Sequence, residues 1–290
     1  MICMLNTSKR LIPTAENPWF VSVNQLKEWD KCHAQFYYKT VLKQRWLSDE
    51  RNFELGKAVH ALMDLHAKGM PTDHLRVGLK SNILAHFDAL VEHPLAKAPV
   101  VASEYAFYVP FHVEGFSHIT LTGRVDRMSL YDGSLAIIDW KTGTAVPHDY
   151  ATAWQTRLYS YAIWQMRDAL PHTYSNPHPS PLPKGEGVKE MHFYYVDVRT
   201  NRQPAVKVYD VTIDADYIAE TEGLLKQVLA RILAEKRFAL PSACPDKYCR
   251  FSQVCGINPE TTAQLPLFSL PQASVLGQGV SKEMNPLDLF

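Results

Sequence analysis

The sequence predicts an α/β fold with a central mixed sheet flanked by helices. Three observations carry this. Two strand-like runs, about residues 119–130 and 135–140, enclose Tyr131–Asp132–Gly133–Ser134, and Asp-Gly between such runs is a strong hairpin signal. Helix-period segments lie on both sides, Glu54–Lys68 before the hairpin and about Asp149–Leu170 after it. The order helix, three strands, helix, strand then alternates as layered α/β chains do. With 290 residues, 46% of them hydrophobic, the chain suffices for one large domain with a sizeable core.

Taken in order, residues 1–20 read as a poorly ordered lead-in. Ser22 is placed to cap a helix opening V-N-Q-L-K-E-W. Cys32 follows, in isolation a small buried thiol, and then Phe36, Tyr37 and Tyr38, which read as core. In the helix Glu54–Lys68, Gly56 costs helix stability and so permits a close neighbour; His60 lies one turn later, and His66 reads as surface. A further helix fills about 72–92. Val101–Phe111 alternates as a strand, with Glu104 near its start either helping a metal site through a water or standing as a solvated edge charge. The helix after the hairpin carries W-Q-T-R-L-Y-S-Y, in which Gln155 and Tyr159 share one face and Arg157 lies on another. Five prolines and two glycines within 171–187 exclude a regular element and mark an insertion. Met191–Val198 and Ala205–Val211 read as strands, and Asp214–Phe238 as a long amphipathic helix.

The chemistry concentrates in the hairpin. Residues i and i+2 of a strand share a face, so Asp139 and Lys141 project together and Trp140 projects away. The turn folds Asp126 back beside Asp139. Two carboxylates and an ammonium at one sheet edge suit a Mg²⁺ or Mn²⁺ site acting on a phosphate. Taken alone, the same residues also describe a surface hairpin with an Asp–Lys ion pair.

G-x-x-D-R, a hairpin and then I-x-D-x-K resembles the nuclease core of the PD-(D/E)XK superfamily. The resemblance is to its RecB-like branch, which includes CRISPR-associated exonucleases and bacterial AddB nuclease domains, and it runs from about Ser22 to Gly256. It implies a restriction-endonuclease-like core, with Asp126, Asp139 and Lys141 catalytic and with His60, Asp126 and Asp139 on the metal. The carbonyl of Trp140 is a further ligand on this resemblance. G-x-x-x-H on the preceding helix is similar to the family motif that brings the histidine to the metal. Gln155 and Tyr159 match its Q-x-x-x-Y pair, which lines the DNA channel. The domains are then a lead-in over 1–20, a nuclease domain over 21–258 with an insertion at 171–188, and a tail over 259–290.

Cys244, Cys249 and Cys255 form C-x4-C-x5-C. With Cys32 they supply four thiolates, enough for a [4Fe–4S] cluster. Three clustered cysteines and a distant one resemble the cluster that staples the C-terminal end of RecB-like domains to their first helix, although C-x2-C-x5-C is the more familiar spacing. Zinc on the same thiolates is the alternative. Cys3 is left over. In the tail, Gln264–Phe268 (Q-L-P-L-F) and residues 286–290 (P-L-D-L-F) resemble the Q-L-(S/D)-L-F peptide that binds the bacterial sliding clamp. Gln264, Leu265, Leu267 and Phe268 match in the first, and Leu287, Leu289 and Phe290 in the second. An apolar tail docked on its own domain is the other reading.

The formal net charge is zero, so nucleic-acid contact must come from a local groove rather than global attraction. No apolar run has transmembrane length, the N-terminus shows no signal peptide, and five cysteines are too few for a disulfide scaffold; the expectation is a cytoplasmic protein. The resemblance implies a metal-dependent DNA nuclease, an exonuclease of recombination or repair, with a helicase on another chain as a candidate partner. The alternative is a clamp-tethered DNA-binding adaptor without turnover.

Overall fold

The computed structural model describes residues 10–44, 54–142, 149–170, 190–201, 203–236, 238, 251 and 255. The insertion at 171–188, Cys244, Cys249 and the clamp-like peptides lie outside them.

The first strand, β1 (Trp19–Val21), leads into α1 (Val23–Lys31). Ser22 caps α1 as expected: its hydroxyl accepts from the Gln25 N–H, and the Gln25 side chain accepts from the Ser22 N–H. Then come α2 (His33–Phe36), a π-helical turn over Tyr37–Val41, α3 (Glu54–Ala67), α4 (Asp73–Arg76), α5 (Ser81–Val91) and α6 (Pro94–Lys97). The strands β2 (Val100–Val113), β3 (Phe116–Tyr131) and β4 (Ser134–Lys141) follow, then α7 (Trp154–Met166), β5 (Met191–Asn201), β6 (Gln203–Ile213) and α8 (Ala215–Ala234).

The described strands form one mixed sheet in the order β1-β3-β4-β5-β6, with β2 on the other edge of β3. β1 runs parallel to β3 and β4 parallel to β5; the other pairings are antiparallel. The β3–β4 turn has positive φ at both Asp132 (49°) and Gly133 (80°), the type I′ geometry that Asp-Gly favours.

Helices cover the sheet on both sides. Along β4, Leu135 and Ile137 enter a core shared with α1, α2, α7 and α8. Ala136, Ile138 and Trp140 enter a second core with α3, α5 and α6. Strand alternation thus sorts one hairpin arm into two layers. Arg157 is buried between α7 and α8, donating to Glu220 at 2.8 Å and Thr221 at 3.3 Å.

Three expectations are corrected. The lead-in was expected to extend through residue 20, but Trp19 is buried and Trp19–Val21 pairs with Ile119–Leu121. The sequence hides this because a three-residue strand has no period to read. The helix expected over 72–92 breaks into α4 and α5 around Gly78, whose φ of 84° no right-handed helix accepts. His66 is half-buried, its ring edge-on to Phe87, rather than a surface residue.

Candidate active site and metal centre

The site forms where β3 and β4 part company. Their last paired residues are Arg127 and Ile138. Beyond that pair, the side chain of Asp126 replaces the ladder: its Oδ2 accepts from the Trp140 N–H at 2.9 Å. The hairpin therefore brings Asp126 to the end of β4, and Asp139 and Lys141 flank the residue it binds.

Each helical layer adds one side. From α3, the His60 Nε2 lies 3.0 Å from the Trp140 carbonyl, to which it donates, and Nδ1 lies 3.4 Å from Asp126 Oδ1 and 4.0 Å from Glu104 Oε1. That orientation fixes the tautomer of a neutral ring: Nε2 carries the proton, and Nδ1 turns its lone pair towards the carboxylates. From α7, Gln155 bridges the remaining pair. Its amide donates to Asp139 Oδ1, and its Oε1 accepts from Lys141 Nζ at 3.1 Å. Lys141 Nζ also lies 2.7 Å from Asp139 Oδ2. That contact is a buried ion pair.

Donor atoms of His60, Glu104 and Asp126 lie within 4.8 Å of one another, a grouping of the size that holds a metal ion. One imidazole and hard carboxylates suit Mn²⁺ or Mg²⁺. Glu104 is the residue whose role the sequence left open. It stands at positive φ (46°) in β2, between the Ser103–Arg127 and Tyr105–Val125 pairs, and its carboxylate reaches Arg124 Nε at 2.8 Å. An alternation pattern carries no signal for such a backbone inversion, and a left-handed glutamate is uncommon.

The electrostatics follow from crowding. Burial depresses the His60 imidazolium, but Asp126, Asp139 and Glu104 outweigh it and raise the pKa to about 9. Burial favours the neutral form of Asp126; His60, Lys141 and the Trp140 N–H nonetheless hold its carboxyl below the ordinary range. Glu104 is pushed up by burial and by Asp126. Asp139 is pushed up by burial, with Lys141 pulling it back. The Lys141 ammonium is disfavoured by burial yet raised overall by Asp139.

Tyr159 sits one helical turn beyond Gln155. Its ring packs edge-on to Phe107 at 5.3 Å, its phenol takes a backbone hydrogen bond from Arg124, and burial raises its pKa strongly. Gly123 makes room for it: a Cβ there would lie 2.6 Å from both the Tyr159 and Phe107 rings. Gly56 plays a milder version of the part, with Thr142 Oγ1 3.4 Å from where its Cβ would be. Of the residues expected at the site, His60, Asp126, Asp139, Lys141, Gln155 and Tyr159 all converge here. Gln155 contacts Asp139 and Lys141, and the Tyr159 phenol meets the Arg124 backbone.

Among the cysteines, Cys32 is buried at the junction of α1 and α2, and Cys255 is half-buried. Phe251 stacks on Tyr38, ring centroids 5.1 Å apart, and Phe238 packs on Trp29, Phe36 and Tyr37. These C-terminal residues therefore lie against the first helices.

No curated protein matches the chain. Among solved structures it is similar to one from Eubacterium rectale bearing the name "Putative exonuclease", at 14% identity and TM-score 0.48, covering 93% of this chain and 97% of that one. It is also similar to SSO0001, at 14% identity and TM-score 0.33, covering 70% and 94%. Both likenesses are too distant to bear on substrate. The family model for the PD-(D/E)XK nuclease superfamily, however, matches residues 21–256, and that span takes in every side chain of the site. The chain belongs to the PD-(D/E)XK nuclease superfamily.

Proposed function

We propose that this protein is a metal-dependent deoxyribonuclease, an exonuclease of recombination or repair. The observation that supports it best is the Asp139–Lys141–Gln155 arrangement beside the His60–Glu104–Asp126 donors, all at the end of one strand. In this reading His60, Asp126 and Asp139 hold Mg²⁺ or Mn²⁺, and Glu104 completes or backs the set. A bound divalent ion supplies an acidified water and offsets charge on the phosphate. Lys141, held as an ammonium by Asp139 and fixed by Gln155, orients the attacking water and stabilises the charge that develops on the phosphoryl oxygens. Hydrolysis then adds water across one P–O bond: the attacking oxygen loses a proton and the departing oxygen gains one.

The [4Fe–4S] cluster on Cys32, Cys244, Cys249 and Cys255 belongs to the same proposal. The docking of Phe238 and Phe251 on the first helices supports a C-terminal staple, with a structural rather than a redox part. The two Leu–Phe peptides of the tail make the sliding clamp the proposed partner, and any unwinding would come from a separate helicase.

The test is cleavage of end-labelled linear and closed circular DNA by anaerobically purified protein with Mg²⁺ or Mn²⁺, with Lys141→Ala alongside. Loss of linear DNA only, abolished in the variant while DNA binding persists, is expected. Cleavage of both substrates would make it an endonuclease. Unchanged cleavage by Lys141→Ala would remove the core of the assignment, and DNA binding without any turnover would leave the adaptor.

A further inference from the structure

Away from the helices α3 and α5, one face of the sheet is largely exposed among the described residues. Along β2, Phe107, Val109, Phe111 and Val113 are buried, while Ala106, Tyr108, Pro110 and His112 are exposed. On β3 the same outward side carries Thr120, Thr122 and Arg124. Phe20 of β1 lies opposite Thr120 and Tyr108 of β2 opposite Thr122, on the two edges of β3. Their rings lean over the threonines and meet edge-to-face, centroids 6.4 Å apart. Yet they remain 38% and 44% exposed, among the few large apolar side chains so open in the described residues.

This pair is aligned with the active site. Thr120, Thr122, Arg124 and Asp126 step along β3 two residues at a time, so the rings lie roughly 13 to 20 Å from Asp126. Side chains connect them: Arg124 pairs with Glu104 at 2.8 Å, Glu104 approaches His60 at 4.0 Å, and His60 approaches Asp126 at 3.4 Å. Exposed rings on a sheet, with small hydroxyl side chains between them and a cation on the way to the carboxylates, match the chemistry of unpaired bases rather than that of a duplex. Duplex bases are stacked on each other and offer no free π-face to a protein ring.

We infer that Phe20 and Tyr108 form a stacking platform for single-stranded DNA, holding the strand along β3 on its way to the active site. The inference rests on the nuclease reading and adds the substrate form and its track. A strand of about four or more nucleotides is needed to reach from the metal donors to the rings.

The experiment is fluorescence anisotropy of the full-length protein with a labelled oligothymidylate of about 12 nucleotides, in chelator so that no cleavage occurs. Phe20→Ala/Tyr108→Ala, Tyr108→Leu and Tyr108→Trp are compared with wild type, and melting temperatures are measured in parallel. Each stacked ring contributes roughly 5-fold or more in affinity. The double variant and Tyr108→Leu should therefore lose single-strand affinity while Tyr108→Trp retains it. Leucine keeps the apolar cover over β3, so a purely structural ring would show Tyr108→Leu binding like wild type, which overturns the platform. Equal losses on a duplex of the same length overturn it too. If wild type binds the oligonucleotide and the variants do not, but no DNA is ever cleaved, the platform stands and the nuclease reading falls. Cleavage with unaltered binding in the variants gives the reverse.

Discussion

In the proposed metal site, His60 is the residue where proton and metal would compete for one nitrogen. Its folded pKa of about 9 lies above the ordinary histidine value, so in metal-free protein the imidazolium–Asp126 interaction stabilises the fold. That contribution is fully present below about pH 6.5 and is lost as pH rises through about 9. The melting temperature of metal-free protein should accordingly fall across that window, and His60→Gln should flatten the fall. Metal binding requires the neutral ring, so Mn²⁺ affinity measured by calorimetry should rise over the same interval. Gln155 permits a cleaner separation of roles. Because its amide is committed to Asp139 and Lys141, Gln155→Ala should lower kcat by about 100-fold and leave KM for DNA nearly unchanged. A raised KM with intact kcat would instead show that Gln155 acts by holding the DNA.

At the scale of elements, the site depends first on a close approach that glycine allows. α7 lies against β3 because Gly123 has no side chain, and Tyr159 fills that space while taking the Arg124 N–H. Gly123→Ala forces buried rings to move and should cost about 1–3 kcal/mol in urea unfolding, as overpacked cores do. Activity should fall with it, since α7 also delivers Gln155. A variant as stable as wild type would mean that the rings relax freely. The parting of β3 from β4 is the second element-level device. A hairpin paired to its ends would have no free N–H at Trp140 for the Asp126 side chain to take.

Over the whole molecule, the restriction-endonuclease-like sheet separates two cores, and the site draws on both: His60 from the α3 layer and Gln155 from the α7 layer. On the α1 side, Phe238 and Phe251 pack on Trp29, Phe36, Tyr37 and Tyr38. The proposed cluster bridging Cys32 to the C-terminal cysteines would close a loop of roughly 200 residues and remove entropy from the unfolded chain. Cys32→Ser should therefore lose the brown colour and several degrees of melting temperature together, read by visible absorption and calorimetry. A colourless native protein of full stability and activity would argue against the cluster.

The sequence by itself determined the local chemistry and the elements with a clear period. The Asp-Gly turn, the Ser22 cap, the alternation that sends Trp140 away from Asp139 and Lys141, and the helical step from Gln155 to Tyr159 are all short-range consequences of backbone geometry. They sufficed to bring most of the site residues into view. The tertiary structure decided what depends on neighbours distant in the chain. Strand β1 exists only because β3 offers it an edge, 100 residues away by the Trp19–Ile119 pairing. Glu104 is brought beside His60 and Asp126 through an inverted backbone that no periodicity encodes. Gln155 and Tyr159 meet Asp139, Lys141 and Arg124 because α7 packs against the ends of β3 and β4. Spacing along a chain fixes which face a side chain takes; only packing fixes what meets it there.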